Sequence, residues 1–146
     1  MQSGNPTRYA EYVSATGSNR FEVEHIWADT PERHTDEFSH PADFAAYRNR
    51  IGGLLLLPKR FNTSYSDLPY EDKLPHYNSQ NLLARSLHPL CYKHNPGFLR
   101  FARESGLPFR AHEEFKKTDL DARGTLYRQI AERIWNPDQL LWEVGQ

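Results

Sequence analysis

The chain has 146 residues and a formal net charge of -1. A chain of this length fits one domain with a single core. Its near-neutral charge excludes the strong overall basicity that marks a nucleic-acid binder from composition alone, so any such contact must be local. The single cysteine, Cys91, excludes an internal disulfide and a multi-cysteine zinc site, and we expect a cytoplasmic protein. No apolar segment approaches the ~20 residues of a membrane span.

Residues 1–19 carry little apolar pattern, and we predict only a short helix over residues 8–14 there. We interpret 1–19 as a linker or N-terminal extension and 20–146 as one domain. Because a compact domain rarely begins with so unanchored a segment, we expect this domain to be the C-terminal module of a longer protein.

Two short strands are predicted in the first half of the chain. Apolar and polar residues alternate from Phe21 and deliver the pair Glu24-His25 at a strand end. Gly52-Gly53 end a helix that Pro41 opens, and the apolar run 54–57 then predicts a buried second strand. Residues 59–66 follow as a short helix that carries Asn62.

The second half is predicted to be helical. We expect helices over about 75–87, 96–105 and 119–135, with Gly106 as a left-handed cap of the second. The predicted class is therefore α+β, with a two-stranded antiparallel hairpin surrounded by mostly helical elements.

Several motifs together resemble a known nuclease pattern. They are Val23-Glu24-His25-Ile26, then Ile51-Gly52-Gly53-Leu54-Leu55-Leu56-Leu57-Pro58, then Asn62 and Lys73. This set resembles the HNH pattern of the ββα-metal superfamily, and in particular the C-terminal domain of GmrSD-type modification-dependent restriction endonucleases. The family carries an asparagine nine residues beyond the asparagine of its second strand, and the interval from Gly53 to Asn62 is also nine.

The resemblance implies a fold, an activity and partners. The fold is a ββα-metal core, and the activity is metal-dependent cleavage of DNA, by nicking or cutting, in a bacterial anti-phage restriction system. It also implies an N-terminal sensor or NTPase domain in the same full-length protein and no membrane partner. The SspE-like group, which senses phosphorothioate-modified DNA, is the nearest subgroup we expect.

Three residues are expected to carry the chemistry of phosphodiester hydrolysis. His25 is the candidate general base, because an imidazole can accept a proton from water near pH 7. Glu24 and Asn62 are the candidate ligands of one divalent ion, Mg²⁺ or Mn²⁺, which prefers oxygen. Glu24 and His25 are neighbours on a strand, so both can line one site only if the strand ends or distorts there.

One position departs from the family pattern. Gly53 stands where the family has an asparagine that orients the histidine or braces the loop. We expect Asn49, close by in sequence, to take over this role, and we expect activity to survive. Around these residues a basic cluster could contact DNA phosphates, although such side chains are equally common on a solvated surface; it consists of Arg48, Arg50, Lys59, Arg60 and Lys73.

The sequence leaves two other functions open. A degenerate HNH fold could bind DNA or a protein without cutting, and Gly53 favours that alternative; a purely structural helical adaptor would make the motif spacing a coincidence. The other histidines lack the i,i+3 or i,i+4 pairs typical of zinc ligands, so we interpret them as structural or surface residues, with His34 or His40 as the main exception. The aromatic residues between 92 and 115 are predicted to be core rather than a base-stacking platform.

Overall fold

The computed structural model describes residues 9–136 and 138, and within them the chain is α+β, as predicted. Two strands, β1 (Phe21–His25) and β2 (Leu54–Pro58), form an antiparallel hairpin. The helices are α1 (Tyr9–Ser14), α2 (Pro41–Arg48), α3 (Lys59–Tyr65), α4 (Tyr70–Tyr77), α5 (Leu82–Arg85), α6 (Pro96–Ser105) and α7 (Lys117–Ile134). None of these helices is long and apolar enough to cross a membrane.

The hairpin has an inner face on the core and an outer face toward solvent. In its register His25 pairs with Leu54 and Glu24 pairs with Leu55. Because side chains alternate along a strand, Glu24 and Leu55 point inward and are buried, whereas Val23 and Leu56 point outward and are 54% and 45% exposed. His25 shares the outer face with Val23.

Within the part of the chain that the structure describes, one edge of β1 has no neighbouring strand. The amide of Lys59 donates to the carbonyl of Arg20, and the amide of Ile26 donates to that of Gly53, so the even-numbered residues of β1 form the hydrogen-bonded pairs with β2. The carbonyls of Val23 and His25 therefore point away from β2. We call this side of β1 the open edge.

The core lies between the inner face of the hairpin and the helices. The tryptophan that follows β1, Trp27, donates its indole N–H to the carbonyl of Phe115, 2.7 Å away, and packs against the rings of Phe38 and Phe44. A second group of rings surrounds α6, with Phe98 buried against Tyr92 and Phe109. The core prediction is confirmed for Phe98 and Phe115, which are buried, whereas Tyr92, Phe101 and Phe109 are half-buried.

Helix α7 lies directly against the turn that precedes β2. A Cβ atom placed on Gly52 would lie 2.1 Å from the carbonyl oxygen of Leu120 and 2.6 Å from the amide nitrogen of Gly124, so only glycine permits this approach. From the same helix, the hydroxyl of Tyr127 donates to the carbonyl of Leu54, 2.9 Å away. The start of β2 is thus fixed by α7.

The helix predicted over 75–87 is wrong. Helix α4 begins at Tyr70 and contains Pro75, because its buried residues Tyr70, Leu74 and Tyr77 recur with helical spacing and anchor that face. A new helix then begins after Asn81, whose side chain accepts from the amide of Ala84 and caps α5.

The helices predicted over 59–66, 96–105 and 119–135 are confirmed within two residues at their ends. Helix α2 opens at Pro41 as predicted, but it ends at Arg48 with Asn49 as its cap, so the prediction that Gly52-Gly53 end it is wrong. Helix α6 ends at Gly106, which has a φ of 65° in the left-handed region, as the sequence predicts. For the predicted helix 8–14, residue 8 lies outside the described residues and α1 covers the rest.

Candidate functional site

His25 is held by an asparagine that follows helix α2. Its Nε2 atom lies 2.9 Å from Oδ1 of Asn49, and the Nδ2 atom of Asn49 donates to the carbonyl of Ala45, also 2.9 Å away. The amide is therefore fixed at both ends, with its oxygen toward the imidazole. Asn49 and His25 are brought together as the sequence predicts.

This contact selects a tautomer of the imidazole. An amide oxygen can only accept, so the hydrogen of neutral His25 lies on Nε2 and is donated to Asn49. The lone pair of Nδ1 then remains for a proton from outside the ring. A neutral imidazole held in this way has the arrangement that a general base needs.

Asn62 lies on α3 beside the open edge of β1. Its Nδ2 atom donates to the carbonyl of Val23, 3.2 Å away, two residues before His25. Its Oδ1 atom is buried and has no hydrogen-bond partner among the described residues. A buried polar oxygen without a partner is unfavourable by itself, so this atom is available for a ligand.

The side chain of Glu24 does not lie on the same face of β1 as that of His25, so the prediction that both line one site is wrong. Strand β1 keeps regular pairing through His25, so the two neighbouring side chains point to opposite faces. Glu24 is only 1% exposed. Its Oε1 atom accepts from Nζ of Lys73 at 2.6 Å and from the hydroxyl of Tyr77 at 3.1 Å.

Lys73 is fully buried, with 0% exposure, so the prediction that it contacts DNA phosphate is wrong. Burial lowers the pKa of its ammonium, and the charge of Glu24 opposes that shift. Its Nζ atom also donates to the carbonyl of His25, 2.8 Å away on the open edge. Lys73 therefore joins the carboxylate of one residue to the backbone of the next.

Tyr77 completes this buried group, and sequence analysis missed it. Burial raises the pKa of its phenol well above the usual value of 10.0, and Glu24 adds to the rise, so the hydroxyl stays protonated and donates. A signal was present in the sequence, because Lys73 and Tyr77 have the i,i+4 spacing that places two residues on one face of a helix.

Three of the other four side chains in the predicted basic cluster already have partners within the protein. Arg48 donates through Nε to the carbonyl of Trp27, and Arg60 donates to the side chain of Asn19. Arg50 lies 3.9 Å above the ring of Tyr47 and 3.8 Å from a carboxylate oxygen of Asp121. Lys59 is half-buried at the start of α3. Their contact with phosphate stays a prediction.

Gly53 braces the strand through its backbone alone. Its carbonyl accepts from the amide of Ile26 at 2.9 Å. A Cβ atom at this position would lie 3.0 Å from Cδ1 of Leu120 and 3.1 Å from the carbonyl oxygen of Arg48. The ring of His25 instead donates its hydrogen bond to Oδ1 of Asn49.

Of the two predicted metal ligands, Asn62 and Glu24, only Asn62 has an oxygen that suits a divalent metal. The oxygen of Asn62 suits a hard cation, whereas the carboxylate of Glu24 is already bound to Lys73. Within residues 9–136 and 138, no group of three or more His, Cys, Asp or Glu side chains could hold a metal ion. Of the remaining histidines, His112 is buried and lies 2.8 Å from Asp119, and His34 stacks on Phe44 with ring centroids 5.0 Å apart, as structural residues do.

Comparison with known proteins identifies a family. The family model described as GmrSD restriction endonucleases, C-terminal domain, matches residues 4–130. No curated protein and no solved structure matches the chain.

Proposed function

Because the chain belongs to the family of GmrSD restriction endonuclease C-terminal domains, we propose that it hydrolyses phosphodiester bonds of DNA with β1, β2 and α3 as a ββα-metal (HNH) core. The contact between His25 and Asn49 is the observation that carries the proposal. An isolated surface histidine needs no such orientation, whereas a general base needs one free nitrogen aimed at its water.

In this mechanism His25 accepts a proton at Nδ1 from a water molecule, and the oxygen of that water attacks phosphorus as the 3′ oxygen leaves. Asn49 acts only on the ring, since it keeps the hydrogen on Nε2 and limits rotation. A positioned base typically contributes about 10²–10⁴-fold to the rate.

We further propose that the reaction requires one hard divalent cation, Mg²⁺ or Mn²⁺. Asn62 would hold it through Oδ1, together with water and substrate oxygens. Such an ion neutralises charge on the phosphoryl oxygens and on the leaving group. Glu24 is not included among its ligands, because Lys73 occupies its carboxylate.

DNA would approach the outer face of the hairpin, since the His25 side chain lies on that face. Val23 and Leu56 are exposed there. We propose that the exposed Arg50 and Arg60 and the half-buried Arg48 and Lys59 contact DNA phosphates. On a chain of net charge -1, such local cations would provide the DNA contact.

The test is a plasmid-nicking assay with purified protein, with Mg²⁺, with Mn²⁺ and with chelator. We expect cleavage only with metal, and loss of about 10²-fold or more in His25→Ala. His40→Ala is the matched control, because His40 is exposed in the loop before α2 and makes no side-chain cap bond. Cleavage by His25→Ala at the wild-type rate contradicts the assignment.

A second function, a binding module that no longer cuts, is favoured by Gly53 at the asparagine position. Its distinguishing result is DNA binding by gel shift without any metal-dependent nicking. The role in a bacterial anti-phage restriction system, the N-terminal sensor or NTPase domain and the SspE-like specificity all stay predictions from the family resemblance.

A further inference from the structure

A line of buried hydrogen bonds ends at the backbone of the candidate base. The hydroxyl of Tyr77 and the ammonium of Lys73 both donate to Oε1 of Glu24, and the same ammonium donates to the carbonyl of His25. We propose that Lys73 is a positioning residue for His25, which fixes the end of β1 from inside the core. This inference rests on the proposed function of His25.

The position of the accepted carbonyl supports this role. His25 is the last residue of β1, and its carbonyl lies on the open edge, where no strand among residues 9–136 and 138 supplies a donor. A backbone carbonyl beside the core requires a partner. Asn62 binds the carbonyl of Val23 on the same edge, so α3 and α4 each hold one carbonyl of the strand end.

The ion pair gives Lys73 a fixed direction. A lysine on a flexible stem normally extends to solvent, but this one is fully buried and its ammonium lies 2.6 Å from Glu24. Charge-assisted hydrogen bonds of this length are among the stronger ones. Glu24 thus acts through Lys73, and its carboxylate orients the ammonium that binds the strand.

Stability alone does not account for a buried pair of this kind. Replacement of a buried ion pair by apolar side chains of similar volume is often neutral or stabilising. Here the ammonium also binds the residue that carries the imidazole, so the pair determines where that residue lies. A small displacement of a catalytic group can lower the rate by about 10²-fold.

The decisive variant is the double substitution Glu24→Gln with Lys73→Met. It removes both charges together, so no uncompensated charge stays in the core, and Met approximates the length of the lysine stem. We expect kcat for nicking to fall roughly 10- to 100-fold while KM changes less than about twofold, because the base is displaced but the DNA-binding face is intact.

The single substitution Glu24→Gln separates the role of Glu24 from that of Lys73. Glu24→Gln alone leaves the bond from Lys73 to the His25 carbonyl, so we expect a smaller loss of kcat than in the double variant and an unchanged midpoint of Mn²⁺ binding to the protein alone, measured by titration calorimetry. A weakened Mn²⁺ affinity in Glu24→Gln would overturn the inference, because it would make Glu24 a metal ligand.

Phe98→Leu is the stability control. Phe98 lies on α6, is fully buried, and packs against the rings of Tyr92 and Phe109 rather than against β1 or β2 residues. This variant should lower the melting temperature without lowering kcat at 25 °C. If the double variant cuts with wild-type kcat while His25→Ala is inactive, the positioning role is wrong and the proposed function stands. If His25→Ala itself is active, the proposed function fails.

Discussion

Asn49 contacts two different groups with the two ends of its amide, and this makes its side chain a test of how His25 is oriented. The substitution Asn49→Ala removes the acceptor at Nε2 and the bond to Ala45. We expect the nicking rate to fall roughly 10- to 100-fold, because the ring is free to rotate and to change tautomer. Single-turnover nicking with saturating DNA measures this effect.

Asn78→Ala is the matched control for Asn49, since Asn78 also follows a helix as its C-cap residue, at the end of α4. It should cut at the wild-type rate. An unchanged rate in Asn49→Ala would show that another group orients the imidazole.

At Gly53 the structure changes the expectation for adding the family's asparagine. The sequence alone favours a tolerated substitution that raises the nicking rate by fixing the orientation of His25, with a gain limited by Asn49. However, any Cβ there lies 3.0 Å from Leu120 Cδ1 and 3.1 Å from the Arg48 carbonyl, which is tighter than ordinary contact. We therefore expect Gly53→Asn to lower the free energy of unfolding by about 1–3 kcal/mol and not to raise the nicking rate. Urea denaturation and nicking of the same preparation check both parts.

At the scale of elements, the contact between α7 and the turn before β2 depends on one glycine. A methyl group at Gly52 would overlap the α7 backbone, at 2.1 Å from the Leu120 carbonyl. We expect Gly52→Ala to destabilise the protein by about 3 kcal/mol or more, because the neighbouring atoms are backbone and cannot rotate away. Thermal and urea unfolding followed by circular dichroism measure it.

Gly124 gives the opposite prediction on the facing helix. A Cβ atom there meets nothing within 4 Å, and the residue lies inside α7. Gly124→Ala should therefore stabilise the protein by about 0.5–1 kcal/mol through helix propensity. A Gly52→Ala variant as stable as wild type would contradict the close packing of α7 on this turn, and a destabilised Gly124→Ala variant would contradict the open space at Gly124.

At the scale of the whole molecule, the half-buried His34 and the buried His112 predict how the free energy of unfolding changes with pH. Burial lowers the pKa of His112, and the hydrogen bond that its ring donates to Asp119 opposes this shift. Burial, followed by the charge of Lys116, lowers the pKa of His34. In the unfolded chain these rings take up a proton near their ordinary pKa of about 6.5. The folded protein resists protonation until the pH is lower.

The unfolded state therefore binds more protons between the ordinary pKa and the lowered one, and the free energy of unfolding must fall as the pH falls through that window. We expect a lower urea midpoint at pH 5.5 than at pH 7.5. His112→Asn, which can still donate to Asp119, should reduce this difference, whereas His40→Asn at an exposed site should not. Equal slopes in wild type and His112→Asn would exclude His112 as a source.

The local pattern of the sequence determined most elements of this protein. Alternation over 21–25 and the bounded run 54–57 predicted both strands, and Pro41, Pro96 and Gly106 marked helix ends, because these signals act within a few residues of the chain. The spacing from Gly53 to Asn62 likewise identified the family that residues 4–130 match.

Only the tertiary structure decided which way Glu24 and Lys73 point. The sequence places Glu24 beside His25, but strand alternation sends the two side chains to opposite faces, and α4 then brings Lys73 beneath Glu24 from 49 residues away. Because the pair is buried, Lys73 is not available on the surface for DNA phosphate, and the carboxylate of Glu24 is not available as a metal ligand. Such outcomes depend on contacts between distant segments, whose energies are set by desolvation and packing in the folded core.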